Sequence, residues 1–464
     1  MSKIMKENHE INHDQSKTSN FVQWIATFAV FLLALQVGIG IGWASPNNAR
    51  LLKDDSPIHA TTDDISWMTS LVSIGAAIGA ILGAIAVEIA GSRRTILLTY
   101  ALLSISWILL LVSNSVEWLY ASRFIMGIGC TLLYCCFSLY LGEISDARIR
   151  GSLISLAIIG SPFGCVLGII AETYLDMKVT ASIYLVLGLI GILLFFWLDD
   201  TPYYLIKKNE RDTALISINF YRGTSSEKEL DEVISFVENS ADLKEKLNML
   251  KVSVVRKSIF MIMLVFTLPH IAGYMNLMSY MQTILESSKF DLIKPEECVI
   301  YANIITVITA FVTFNLIDKL GRKILLIISS IGTASALVAL GTHFYLLKSE
   351  FDVENLQWLP VGSILFYLIT YSVGYGSVPG ALLSEMFPEN IKSVAACAAT
   401  LSVSFFGFIV AKAYQPIIDS VGEAYAFWIH AVLALLGVPC ALFMIIETKG
   451  KTFQEIQDKL MKGQ

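Results

Sequence analysis

The chain has 464 residues, 55% of them hydrophobic and 16% charged, with a mean hydropathy of +0.64 and a formal net charge of −6. That composition is too apolar for a water-soluble protein of this length and fits a chain dissolved in lipid. The net charge is small and the basic residues are spread through loops rather than gathered in a patch, which excludes nucleic acid as a partner.

Residues 1–20 are polar and mixed in charge, with no apolar core or cleavage site, so they read as a cytosolic tail and not a signal peptide. A helix needs about 20 apolar residues to cross about 30 Å of hydrocarbon. By that rule the sequence predicts twelve spans, at roughly 21–43, 66–90, 95–114, 118–140, 151–172, 180–198, 258–285, 298–318, 323–346, 358–383, 393–415 and 424–446. The one long polar insert, 200–257, divides them into a half at 21–199 and a half at 258–446, and residues 447–464 form a second tail. The fold class is an all-α membrane protein of 12 transmembrane helices in two six-helix halves with a small cytosolic helical insert.

The turn Asp318-Lys319-Leu320-Gly321-Arg322-Lys323 joins two of these spans, and a weaker copy, Glu88 to Arg94, joins two spans of the first half in the same acid, glycine, base order. Two copies in two halves indicate an internal duplication, a common way to build carriers. With both tails inside, the cytoplasmic segments hold 25 basic residues and the outer loops six, while Arg123 and Lys412 fall within spans. Cytoplasmic loops carry the lysine and arginine excess, so both termini and the insert are placed in the cytosol. In the insert, Leu230, Val233, Ile234 and Val237 recur at helical spacing, which predicts an amphipathic helix packed under the membrane domain.

Gly75, Gly79 and Gly83, and then Gly160, Gly164 and Gly168, form small-residue rows that allow close helix contact, either as plain packing or as a surface on which two halves rock. The seven cysteines lie almost entirely in apolar runs and suggest no disulfide framework, and Cys135-Cys136 lacks the further ligands of a zinc site. No metal, cofactor or catalytic constellation stands out. Gly38, Gly40 and Gly42 lie in an apolar helix rather than after a strand, so they are not a phosphate loop.

Charge inside a membrane is expensive and usually functional. Glu88, Glu143, Asp318 and Glu385 fall at predicted cytoplasmic ends and Glu172 at an outer end. No carboxylate falls at the midplane, which favours passive transport over proton coupling, with His270 the one residue there that could titrate. Arg93 and Arg94 beside one acid, and Arg322 and Lys323 beside another, could form ion pairs between helices at the inner face. Several such pairs, made in one state and broken in the other, would bias a two-state equilibrium by a few kcal/mol.

A resemblance now enters on a set of matches spread over 37–456. They are Gly42-Trp43-Ala44-Ser45-Pro46; Arg123 with Gly127 and Gly129; Tyr140, Glu143, Arg150 and Gly151; Thr201-Pro202; Asp318 to Lys323; Gly374, Gly376, Pro379 and Glu385; and Glu447 to Thr452. The chain resembles the sugar porter family of the major facilitator superfamily, and is most similar to the insect facilitated trehalose transporters. The resemblance implies two halves that rock about one sugar, with Glu88, Arg93, Glu143, Arg150, Asp318, Arg322 and Glu385 as gating residues at the inner face.

The departures gather where the family holds its sugar. Pro269 and His270 stand for paired glutamines on helix 7, and Ala272-Gly273-Tyr274-Met275 for the following Ser-Gly-Ile-Asn. Ile158, Gly380 and Val403-Ser404 replace a glutamine, a tryptophan and an Asn-Trp pair, and Ser92 replaces the first arginine of the loop motif. Polar groups that could bind substrate instead are Gln36, His270, Asn276, Tyr280, Gln282, Asn303, Thr306, Tyr371, Tyr375 and Ser404. Pro269 is expected to break helix 7 and free carbonyls near the cavity. The expected function is facilitative transport of trehalose or a hexose, with a membrane lipid environment and no cofactor. The alternatives are a non-transporting sugar sensor or a carrier, possibly proton-coupled, of another small polar solute.

Overall fold

The computed structural model describes the side chains of residues 21–455 apart from 147, 224–226, 239–244, 246–247, 291, 314–315, 318, 352–354, 388–390, 450 and 452–454. Among the described residues there is no strand. The first half runs through α1 (Ser2–Gly42), α2 (Ala44–Leu51), α3 (Thr62–Leu111), α4 (Val116–Ile144), α5 (Arg150–Tyr174) and α6 (Met177–Trp197). Three short helices make the insert: α7 (Pro202–Lys207), α8 (Arg211–Arg222) and α9 (Glu227–Glu238). The second half has α10 (Ser253–Ile271), α11 (Tyr274–Ser287), α12 (Pro295–Leu320), α13 (Arg322–Lys348), α14 (Trp358–Val373), α15 (Val378–Met386), α16 (Glu389–Val421) and α17 (Glu423–Leu435).

Eleven helical stretches among the described residues are long and apolar enough to cross a membrane, one fewer than the sequence predicts. The difference lies in α3, whose 50 residues run through a break at Gly91. A straight helix of that length would reach roughly 75 Å, more than twice the hydrocarbon thickness. Instead, Gly75 packs at Phe124 and Gly83 at Cys135, whereas Leu103 packs at Gly129 and Ser106 at Ser122. The first part of α3 therefore runs alongside α4 and the last part against it. It is a hairpin of two spans, and the count returns to twelve.

Gly91 makes that reversal with φ 81° and ψ 167°, and Gly321, between α12 and α13, makes the matching one with φ 87° and ψ 162°. Residues with a Cβ avoid this region almost completely. The duplicated turn of the sequence is thus duplicated in torsion.

The glycine rows belong to packing within the first half. A Cβ at Gly75 would lie 2.1 Å from Phe124 O, and one at Gly164 2.1 Å from Leu35 O, so α3 meets α4 and α5 meets α1 backbone to backbone. Helix 7 also differs from expectation. Proline inside a helix removes one N–H, yet α10 continues past Pro269 to Ile271, and the break falls at Gly273, φ 84°. Neighbouring helices take up the carbonyls it frees: His430 Nδ1 lies 3.1 Å from Ile271 O, and the Tyr367 hydroxyl donates to Ala272 O at 3.3 Å.

The insert packs on the first half. Leu230 and Val233 of α9 are buried against Leu205, Ala214 and Ile218, with Ile234 and Val237 at the edge of that cluster, as the periodicity predicts. Tyr221 of α8 ties it to the membrane helices, its carbonyl accepting from Gln23 Nε2 at 3.0 Å and its hydroxyl 3.3 Å from that of Tyr140. This side of the molecule is the insert face.

Candidate functional site

On the insert face each half fastens its own turn. In the second half, Arg322 Nη2 pairs with Glu385 Oε1 at 2.6 Å and Nη1 donates to Ile317 O at 3.1 Å. Glu447, just beyond the last helix, caps α13: Arg322 N–H and Lys323 N–H donate to its two carboxylate oxygens, each at 3.1 Å, and Lys449 N–H donates at 3.0 Å. Burial raises the Glu447 carboxyl, but the three backbone donors and the Arg322 charge outweigh it and hold the group below its ordinary value.

In the first half the partners differ from those expected. Arg93 turns from Glu143 to Asp200, at 3.2 Å, and to Phe195 O, at 2.9 Å, while Arg94 also pairs with Asp200, at 2.7 Å. Glu143 instead accepts from Ser92 Oγ at 2.6 Å. Ser92, the departure in the loop motif, thus meets one of the two Glu143 oxygens. Glu88 pairs with Lys207 of the insert. Among the described residues Arg150 has no ion pair, and its Nε is buried without a partner. The Asp318 side chain lies outside the described residues. Among the described residues of the predicted gating set, Arg322 and Glu385 are the one pair brought together.

On the opposite face the two halves are bonded to each other. Asn48 Nδ2 of α2 donates to Ser279 O of α11 at 3.0 Å, and Gln282 N–H donates to Ser45 Oγ at 3.0 Å. Lys412 of α16 pairs with Asp63 of α3 at 2.5 Å and lies 4.2 Å from the centre of the Trp67 ring. Two candidate binding residues belong to this seal: Gln282, whose side chain donates to Glu286 at 3.0 Å, and Tyr280, buried with its ring 5.0 Å from that of Tyr414.

The remaining candidates scatter. Gln36 is wedged within the first half, Nε2 donating to Tyr184 O at 3.3 Å. Tyr375 is buried within the second, donating to Ala434 O at 2.7 Å. Asn276 bonds α16 through Val410 O at 3.2 Å, and Thr306 bonds its own helix at Ala302 O, 2.9 Å away. Asn303 does reach across the halves, accepting from Cys165 Sγ at 3.7 Å. The Ser404 hydroxyl is buried without a partner. His270 is half-buried, Nδ1 3.2 Å from Phe266 O and its ring facing Gly407.

Tyr274 and Tyr134 are not among the binding groups that the sequence suggests. Tyr274 stacks on Tyr371, and Tyr134 of α4 stands half exposed with its hydroxyl 3.5 Å from Ser161 Oγ of α5. Glu172 lies two residues from the end of α5, as expected, and is fully buried there, accepting from Asn47 Nδ2 at 2.9 Å. Arg123, equally deep, donates to Gly40 O at 3.0 Å and stacks on Trp43 with its guanidinium 3.8 Å from the ring centre. The repeat of Asp200-Thr201 after the first half and Glu447-Thr448 after the second was the available signal for the acids that hold the turns.

Comparison with known proteins agrees with this architecture. The model of the family described as sugar (and other) transporter matches residues 5–460. The facilitated trehalose transporter Tret1 of Bombyx mori is 29% identical over 468 residues, covering 100% of this chain and 92% of that protein. The Polypedilum vanderplanki protein of the same name is 28% identical, covering 95% and 88%. The chain spans about half the length of several other insect relatives, 56% for that of Anopheles gambiae. Among solved structures, the xylose transporter XylE from E. coli in a partially occluded inward-open conformation superposes with a TM-score of 0.72 at 20% identity, covering 94% of this chain and 100% of that one. Its inward-open form gives a TM-score of 0.71 at 19% identity, covering 95% and 99%. The fold is the major facilitator fold, and the chain belongs to the sugar (and other) transporter family.

Proposed function

We propose that this protein is a facilitative carrier that moves a sugar, trehalose or a hexose, across the cell membrane by alternating access, with both termini and the insert on the cytosolic side. The observation that carries the reading is the difference between the two faces. Among the described residues, the one ion pair that joins the halves, Lys412 to Asp63, lies on the face opposite the insert, and on the insert face the pairs of Arg93 with Asp200, Glu88 with Lys207 and Arg322 with Glu385 do not run from one half to the other. That is one end of a two-state cycle, sealed outside and unbolted inside. The relatives named as trehalose facilitators support the substrate class, and the lysine and arginine bias supports the orientation. Glu88, Arg93, Glu143, Arg150, Asp318, Arg322 and Glu385 are the gating residues in this reading, with Asp200 and Glu447 added as the acids that hold the two turns.

Uptake of labelled trehalose and glucose into oocytes expressing the chain, at pH 5.5 and 7.5, tests it. Saturable flux that equilibrates and is indifferent to pH is expected; no flux for any sugar tested overturns the reading. A second reading, proton coupling, has one specific observation behind it: Glu172 Oε1 and Arg123 Nε and Nη2 are buried without hydrogen-bond partners, the kind of buried acid and base that transporters use as proton sites. Accumulation against a gradient at pH 5.5 that disappears in Glu172→Gln would establish that reading instead.

A further inference from the structure

Tyr367 and Tyr371 of α14 lie four residues apart on one helix face, and Tyr375 follows in the turn just beyond its end. A fourth, Tyr274, joins them from the first turn of α11. Tyr367 and Tyr375 are buried and spend their hydroxyls on the carbonyls of Ala272 and Ala434. Tyr274 and Tyr371 are different. Both are half-buried, and among the described residues neither hydroxyl donates to the protein. Their rings lie face to face, with centroids 3.9 Å apart and planes within 4°.

That centroid spacing is closer than the roughly 4.5–7 Å usual for aromatic pairs. The backbone imposes it. Tyr274 is held by the turn at Gly273, where a side chain would be strained, since a Cβ there would meet the His430 ring at 3.0 Å on a backbone already at φ +84°. Tyr371 is fixed by its helix, with Tyr367 behind it in a nearly parallel plane, 14° away. One face of Tyr274 is therefore taken by Tyr371, and among the described residues no ring stacks on the other. In the first half, α5 meets the second half where Cys165 Sγ donates to Asn303 Oδ1, and Ser161, one turn earlier on α5, stands beside the Tyr134 hydroxyl.

We infer that Tyr274, backed by Tyr371, is the aromatic wall of the substrate site and takes the C–H face of a pyranose ring, while the Tyr134 and Ser161 hydroxyls of the other half meet the sugar's hydroxyls. This rests on the sugar-carrier reading. A pyranose presents polarised C–H bonds on its faces and hydroxyls around its edge, so it needs a flat electron-rich surface and a few polar groups set beside it. Here the flat surface belongs to one half and the hydroxyls to the other, so both grip the sugar only when the halves close on it.

The test is equilibrium binding of labelled trehalose and glucose to purified full-length protein carrying Tyr274→Phe, Tyr274→Trp, Tyr274→Leu or Tyr274→Ala, each checked for a wild-type melting temperature. Phe and Trp keep the plate, and binding is expected within about threefold of wild type. Leu keeps the bulk without the ring and should lose about tenfold, as should Ala. The inference is overturned if Leu binds as well as Phe, if all four match wild type, or if all four lose binding alike. Wild-type protein that binds neither sugar overturns the sugar-carrier reading itself, a result distinct from each of these.

Discussion

Glu447 shows how much a single side chain can organise. Its two oxygens take the first two N–H groups of α13, donors that the helix itself cannot satisfy, and its charge sits at the positive end of the helix dipole. Its folded carboxyl lies below the ordinary value of 4.5, so the group stabilises the fold above that value and loses its contribution as pH falls through the depressed one. Replacing it in Glu447→Gln should lower the melting temperature by a constant amount between pH 8 and 6, with the gap to wild type closing below about pH 4.5. A gap that stays constant down to pH 3.5 would show that charge is not what matters there. Sequence spacing could not have found this contact, nor that of Asp200 with Arg93, because the partners lie 125 and 107 residues apart. It placed acids and bases at the helix ends and set Arg93 toward Glu143, where the structure has Arg93 on Asp200.

At the scale of elements, the two glycine turns are the most constrained parts of the backbone. Gly321→Ala places a Cβ 2.8 Å from a Glu447 oxygen on a backbone at φ +87°, and Gly91→Ala places one 2.7 Å from the Tyr204 ring at φ +81°. Each should cost about 1–3 kcal/mol from the torsion alone, seen as reduced thermal stability in detergent. Adding Tyr204→Ala should recover only part of the Gly91→Ala loss, since it removes the collision and leaves the strain. Full recovery would mean that the torsion is harmless. The turns were legible because acid, glycine and base recur in order. The break in helix 7 was misplaced by four residues, from Pro269 to Gly273, because a missing N–H inside a bundle is tolerated where a left-handed glycine cannot be continued.

For the whole molecule, twelve spans split six and six followed from hydropathy and one polar insert, since bilayer thickness fixes the length of every crossing. How the halves meet did not follow, because periodicity tells which face of a helix is apolar and nothing about which helix it meets. The cross-half pair of Asp63 and Lys412 is the clearest instance. Asp63→Lys should slow uptake several-fold by putting two cations against each other, and Asp63→Lys with Lys412→Asp should restore most of it; a double variant no better than the single would remove this pair from the seal. The insert has a practical consequence of its own. Gln23, Tyr140, the Glu143 carbonyl and Glu88 all bind it, through Tyr221, Arg222 and Lys207, and all belong to the first half. A nanobody raised against α8 and α9 would therefore work as a handle, anchoring one half to a surface while the other stays free to swing.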